Sequence, residues 1–159
     1  AIPGDAVNFG TAMAATGEWL LVGKQVVSAA RGRGAAGAAA ADAPAVPGGA
    51  VFAFKRDATG AYAYHSTITS GDANNARDEF GTSIVAEGPI VLIGATGRNG
   101  RTGVVYEFAV ANEAWVNQRA FAPTGGQAND AFGAHVALAG SQAVVAAPGD
   151  AGGYGAAYV

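Results

Sequence analysis

Short apolar runs separated by glycine recur along the chain, and their spacing repeats three times. The register is set by three Phe-Gly pairs, Phe9-Gly10, Phe80-Gly81 and Phe132-Gly133. Eight residues after each Phe stands a glycine, Gly17, Gly88 and Gly140, and fourteen after it a small residue, Gly23, Gly94 and Ala146. Between these landmarks lie Trp19-Leu20-Leu21-Val22, Ile90-Val91-Leu92-Ile93 and Gln142-Ala143-Val144-Val145, runs with the length and composition of buried strands. A further apolar run opens at Gly103 and at Gly155, 23 residues after Phe80 and Phe132. Its counterpart, Gly49 before Ala50-Val51-Phe52-Ala53-Phe54, comes 40 residues after Phe9, so the first copy is longer by 17 residues.

The extra length falls in Ser28 to Pro47, an Ala/Gly/Pro stretch without periodicity that reads as a surface excursion. An alanine-rich helix within Ala35 to Ala41 is the alternative, but seven residues are too few for an isolated helix to hold. A fourth strand is expected over Tyr62 to Ile68 and over Trp115 to Phe121, each preceded by turn residues, Asp57-Ala58-Thr59-Gly60 and Asn112-Glu113. Helical spacing with capping signals is missing. The pattern therefore predicts an all-β chain of four-stranded antiparallel units, and the 52 residues from Phe80 to Phe132 match the length of a propeller blade. The expected units are 1–68, holding the insertion at about 28–47, then 69–121, then an incomplete 122–159. Phe9, Phe80 and Phe132 are expected to be buried at equivalent places.

Composition narrows the chemistry. Net charge is −3 with 13% charged residues, so no basic field exists to hold nucleic acid. Cysteine is absent, which excludes disulfides, thiolate zinc sites and a cysteine nucleophile. The longest apolar runs fall far short of the roughly 20 residues of a membrane helix, so no membrane insertion is expected of this segment.

The runs Asp78-Glu-Phe-Gly-Thr-Ser-Ile-Val-Ala-Glu-Gly88, Ile93-Gly-Ala95 and Gly103-Val-Val-Tyr-Glu-Phe108 resemble the FG-GAP repeat of integrin-alpha-like β-propellers, and Asp130-Ala-Phe-Gly133 with Ala146-Ala-Pro148 restate it. The resemblance implies a secreted or cell-surface location and part of a larger propeller. Calcium-binding blades of the family carry an Asp-rich loop, in integrins between the first two strands of a blade. Here those connections are Gly17-Glu18, Gly88-Pro89 and Gly140-Ser141, too short to supply six to eight oxygen ligands. The nearest imitation, Asp72, Asn74 and Asp78, lacks the glycine hinge and the terminal bidentate carboxylate, and reads as an Asx-turn loop. No metal or cofactor is expected.

No catalytic constellation emerges. His65 and His135, the only two histidines, share no local motif with a nucleophile. Asp78 and Asp130 occupy one repeat position, where a short polar side chain closing a turn suffices. The string Gly94 to Gly103 resembles a phosphate loop but lacks the Lys-Ser/Thr ending and a following helix. Its arginines read as solvated loop residues, and Trp19, Trp115 and Tyr62 read as packing residues.

Up-and-down strands put alternate connections on opposite faces, and the long ones share a face. Recognition is expected there, as a rigid scaffold usually displays its binding loops. Candidate contacts are Arg31, Arg33, Asn74, Arg77, Arg98, Asn99, Arg101 and Asn129. The expected function is a non-catalytic extracellular or cell-surface module binding protein or glycan; the alternative is a building block of an extracellular assembly. Ile2 stands where Ile68 and Phe121 stand, and the pattern calls for an aromatic residue one position after Val159, so both ends are expected to cut through strands. Further blades from a longer parent, or association of copies, would then complete the ring.

Overall fold

The computed structural model describes residues 9–24, 48–71 and 77–159. It is all-β, with three antiparallel sheets in sequence order. The first holds β1 Phe9–Thr16, β2 Trp19–Lys24, β3 Ala50–Arg56 and β4 Tyr62–Ile68. The second holds β5 Phe80–Glu87, β6 Ile90–Ala95, β7 Val104–Ala111 and β8 Ala114–Phe121. The third holds β9 His135–Ala139, β10 Gln142–Ala147 and β11 Ala156–Tyr158. Each sheet is a meander in which sequence neighbours pair.

The turn chemistry accounts for the hairpins. Gly17, Gly88 and Gly140 have φ of 56° to 58°, and Asn112 and Glu113 are left-handed at 50° and 64°, as two-residue primed turns demand. The longer β3–β4 turn is closed by Asp57, whose carboxylate accepts from Thr59 N–H at 2.8 Å, Thr59 Oγ1 at 2.6 Å and Ala61 N–H at 3.0 Å. These donors, the Thr59 hydroxyl first, hold its pKa below the usual carboxylate value. Between β6 and β7, and between β10 and β11, lie single helical turns, α1 Arg98–Arg101 and α2 Asp150–Gly153. Each contains three residues at positive φ, Asn99-Gly100-Arg101 and Ala151-Gly152-Gly153, and neither has a side-chain cap, which is why no helix signal is written in the sequence.

The sheets stack in one direction. On the first–second interface, Trp19, Leu21 and Val51 meet Phe80, Ile93 and Tyr106; on the second–third interface, Leu92 and Val105 meet Phe132, Val145 and Ala147. The middle sheet thus buries both faces. Backbones approach closely where the Phe-Gly pair of one sheet meets glycines of the one before. A Cβ at Gly103 would lie 2.1 Å from Phe132 O, and one at Gly94 would lie 2.1 Å from Gly133 O. Hydrogen bonds fasten the same seam: Phe80 N–H donates to Gly48 O at 2.7 Å, Phe132 N–H to Thr102 O at 2.9 Å, and Ser83 Oγ to Gly133 O at 2.7 Å.

Phe80 and Phe132 are buried, but Phe9 is only half-buried, which departs from the expected equivalence. The reason lies in the stacking. All three rings pack edge-on against aromatic residues of their own unit, Phe9 on Phe52 and Phe54 with ring centroids at 5.7 and 6.4 Å, but Phe80 and Phe132 are covered by the preceding sheet as well. The insertion at 28–47, Asp72 and Ile2 lie outside the described residues.

Candidate functional site

The meander topology places two kinds of connection at opposite ends of the sheets. One end carries the short turns, and side chains tie them together. Thr16 Oγ1 donates to Gly88 O at 2.7 Å, and Gly140 N–H donates to the Glu87 carboxylate at 3.1 Å. Lys55 Nζ bridges Glu18 at 3.4 Å and Glu113 at shorter range. Lys55 is held above its ordinary pKa, chiefly by the hydrogen bond to Glu113, and Glu113 is held below its own by the same bond. Behind this link, Trp19 packs edge-on against His65 and Trp115, with centroids at 4.9 and 5.2 Å. The two tryptophans serve packing. Tyr62, by contrast, is exposed.

The other end carries the remaining connections, of which 48–49, 69–71, 77–79, 96–103, 122–134 and 148–155 are described. Among the described residues, this end carries a charge cluster between the β4–β5 and β6–β7 connections. Asp78, 2% exposed, accepts from Arg98 at 2.8 Å and from Ser70 Oγ at 3.2 Å. The neighbouring Glu79, itself left-handed at φ 54°, accepts from Arg101 at 2.7 Å and from Thr96 Oγ1 at 2.6 Å. The third sheet replaces this cluster with neutral or single-charge equivalents. There Asp130 accepts from Gln127 N–H at 2.5 Å, and Asp150 accepts from Tyr158 Oη, which raises the tyrosine pKa.

The candidate contacts are distributed unevenly over this end. Arg98 and Arg101 are engaged in ion pairs with Asp78 and Glu79, unlike the solvated loop arginines expected from composition. Arg98 retains 20% side-chain exposure and Arg101 50%, so only Arg101 presents much of its guanidinium to solvent. Arg77, Asn99 and Asn129 are exposed, the two asparagines at φ 53° and 75°. Arg31, Arg33 and Asn74 lie outside the described residues. Glu79 was not among the candidates. Its signal was the acidic pair Asp78-Glu79 facing an Arg98-x-x-Arg101 spacing in the following loop, visible only once the two loops are known to be adjacent.

Among the described residues, no group of three or more His, Asp or Glu converges as a metal set would, and no helix is long and apolar enough to cross a membrane. A cleft of about 550 Å³ opens between the second and third sheets, lined by Leu92, Val105, Phe121, Leu138 and Tyr158 among others. Phe121 is 36% exposed there, while its repeat equivalent Ile68 is 3% exposed in the first–second interface.

Residues 115–159 match the family described as FG-GAP repeat. The chain carries an FG-GAP repeat. The match begins on β8 and ends just after β11, so the FG-GAP unit is offset by one strand from the sheets and joins the outer strand of one to the inner strands of the next. The same Phe-Gly geometry recurs at β5, packed on β2 and β3 through Gly23 and Gly49. No curated protein matches the chain.

Proposed function

We propose that this FG-GAP module works outside the cell or at its surface, binding a protein or a glycan through its long-loop face without turning its ligand over. The observation that carries this reading is the asymmetry of the two ends. The short-turn end is tied down by Thr16, Glu87 and Lys55, while the other displays Arg77, Asn99, Arg101 and Asn129 on longer connections. Rigid sheets carrying exposed polar loops are a usual arrangement for recognition. The FG-GAP match favours an extracellular setting.

The test is binding to arrayed glycans and arrayed secreted proteins. Saturable binding is expected, and it should be lost in the triple variant Arg77→Ala, Asn99→Gly, Asn129→Gly, whose glycines tolerate the left-handed backbone. Asn112→Gly, at the opposite end, should bind normally. Absence of binding on both arrays, or binding that survives the triple variant, would refute the reading.

A further inference from the structure

The turns α1 and α2 are built alike and held differently. In both, the glycine before the turn donates to the backbone carbonyl of the buried aspartate ahead of the Phe-Gly pair, Gly97 N–H to Asp78 O and Gly149 N–H to Asp130 O, each at 3.0 Å. The glycine after the turn donates back into it, Gly103 N–H to Arg98 O at 3.0 Å and Gly155 N–H to Asp150 O at 2.9 Å. The residue between Asp and Phe is left-handed in both copies, Glu79 at φ 54° and Ala131 at 55°. The backbones match, so the difference lies in the side chains.

Glu79 uses both carboxylate oxygens. Oε1 accepts from Arg101 Nη1 at 2.7 Å, and Oε2 accepts from Thr96 Oγ1 at 2.6 Å. Thr96 is buried, its hydroxyl lies 3.1 Å from that of Thr82, and Thr82 Oγ1 donates to Glu79 O at 2.6 Å. The carboxylate is therefore anchored on its buried side and grips Arg101 on the other. Ala131, its counterpart, has no side chain that could do this. The α1 turn has no side-chain cap and holds three residues at positive φ, a conformation that side chains other than glycine resist, so it needs a tie from outside.

We propose that Glu79 is a positioning residue for recognition: it fixes the α1 turn and orients Arg101 for an acceptor oxygen of the bound partner. Arg101 gives Glu79 only its Nη1 donor, which leaves Nε and Nη2 for that contact beside the exposed Asn99. Ordering a rotamer-rich arginine before binding removes a cost that association would otherwise carry, and the charge-assisted bond is the stronger kind. The binding step rests on the long-loop reading above; the tie between Glu79 and α1 does not.

Amide hydrogen exchange, resolved by NMR on the 159-residue chain, tests the tie without any partner. Glu79→Gly removes the carboxylate and suits the left-handed backbone, so the melting temperature should not fall. Exchange at Gly103 N–H should quicken about three- to tenfold, the range of one partly exposed charge-assisted pair, while Gly155 N–H keeps its rate. Adding sodium chloride should quicken Gly103 relative to Gly155 in the wild type and not in Glu79→Gly, a response that a purely steric role would not give. Arg101→Gly, also at a positive φ, combined with Glu79→Gly should exchange no faster at Gly103 than the faster single variant. On arrays of glycans and secreted proteins, whatever the wild type captures should be held severalfold more weakly by Glu79→Gly and by Arg101→Gly. An unchanged Gly103 rate in Glu79→Gly, or a quickening that Gly155 shares, would overturn the tie and leave the long-loop reading standing. Quickened exchange with undiminished capture would overturn the positioning role. Arrays that capture nothing would refute the long-loop reading itself, and the positioning role would fall with it whatever the exchange rates.

Discussion

At the scale of single residues, the Phe of each Phe-Gly pair is an anchor whose worth depends on the sheet behind it. Phe80 is fully buried between the first and second sheets, so Phe80→Ala empties a closed site. Equilibrium urea unfolding should show a loss of about 3–5 kcal/mol, the usual range for a buried aromatic. Phe9 occupies the same repeat position but is half-buried, so Phe9→Ala should cost well under that amount. A Phe80→Ala cost of less than about 1 kcal/mol, typical of surface changes, would contradict the packing described. The sequence identifies the position of all three anchors, since Phe-Gly recurs in fixed register. It does not carry the difference between them, because burial of Phe80 is supplied by Trp19, Leu21 and Val51 of another sheet.

At the scale of strands and turns, local chemistry was legible and contacts between loops were not. The two-residue turns Gly17-Glu18, Gly88-Pro89 and Gly140-Ser141 stand where the spacing placed them, because a left-handed glycine leaves a local mark. The pairing of Arg98 with Asp78 and Arg101 with Glu79 joins loops about twenty residues apart, and no periodicity encodes it. Glycine has two different uses here, which substitution separates. Gly60 and Gly103 share φ of 89°, but nothing lies within 4 Å of a Cβ on Gly60, whereas one on Gly103 would be 2.1 Å from Phe132 O. Gly60→Ala should cost about 1–2 kcal/mol from backbone strain alone. Gly103→Ala carries the same strain and must also push the third sheet off the second. It should therefore cost clearly more and accelerate hydrogen exchange at Phe132 N–H, which donates to Thr102 O across that seam. Equal costs for the two substitutions would mean that close backbone approach does not hold the sheets together.

At the scale of the whole molecule, the question is whether charge or apolar surface holds the stack. The Lys55 link to Glu18 and Glu113 is partly exposed, so salt should screen it and its loss should matter little. Its two titrations bound where it acts. Glu113, with a lowered pKa, supports the link above the ordinary carboxylate range and loses it as pH falls through the folded value; Lys55, with a raised pKa, supports it at ordinary pH and loses it as pH rises through its own folded value. The buried Asp78 is already paired, with the Arg98 guanidinium 2.8 Å from one carboxylate oxygen and the Ser70 hydroxyl donating to the same atom. The turns between first and second strands are two residues long and cannot wrap the ion. Stability at neutral pH should therefore rest on the two apolar interfaces, and two consequences follow for thermal melting. Raising salt to about 1 M, where the Debye length is about 3 Å, should leave the melting temperature nearly unchanged, and calcium should have no effect beyond that of an ionic-strength-matched control. A saturable rise in melting temperature with calcium would mean that a site binds the ion in the folded state only, and the reading of Asp78 as a structural partner of Arg98 would fail.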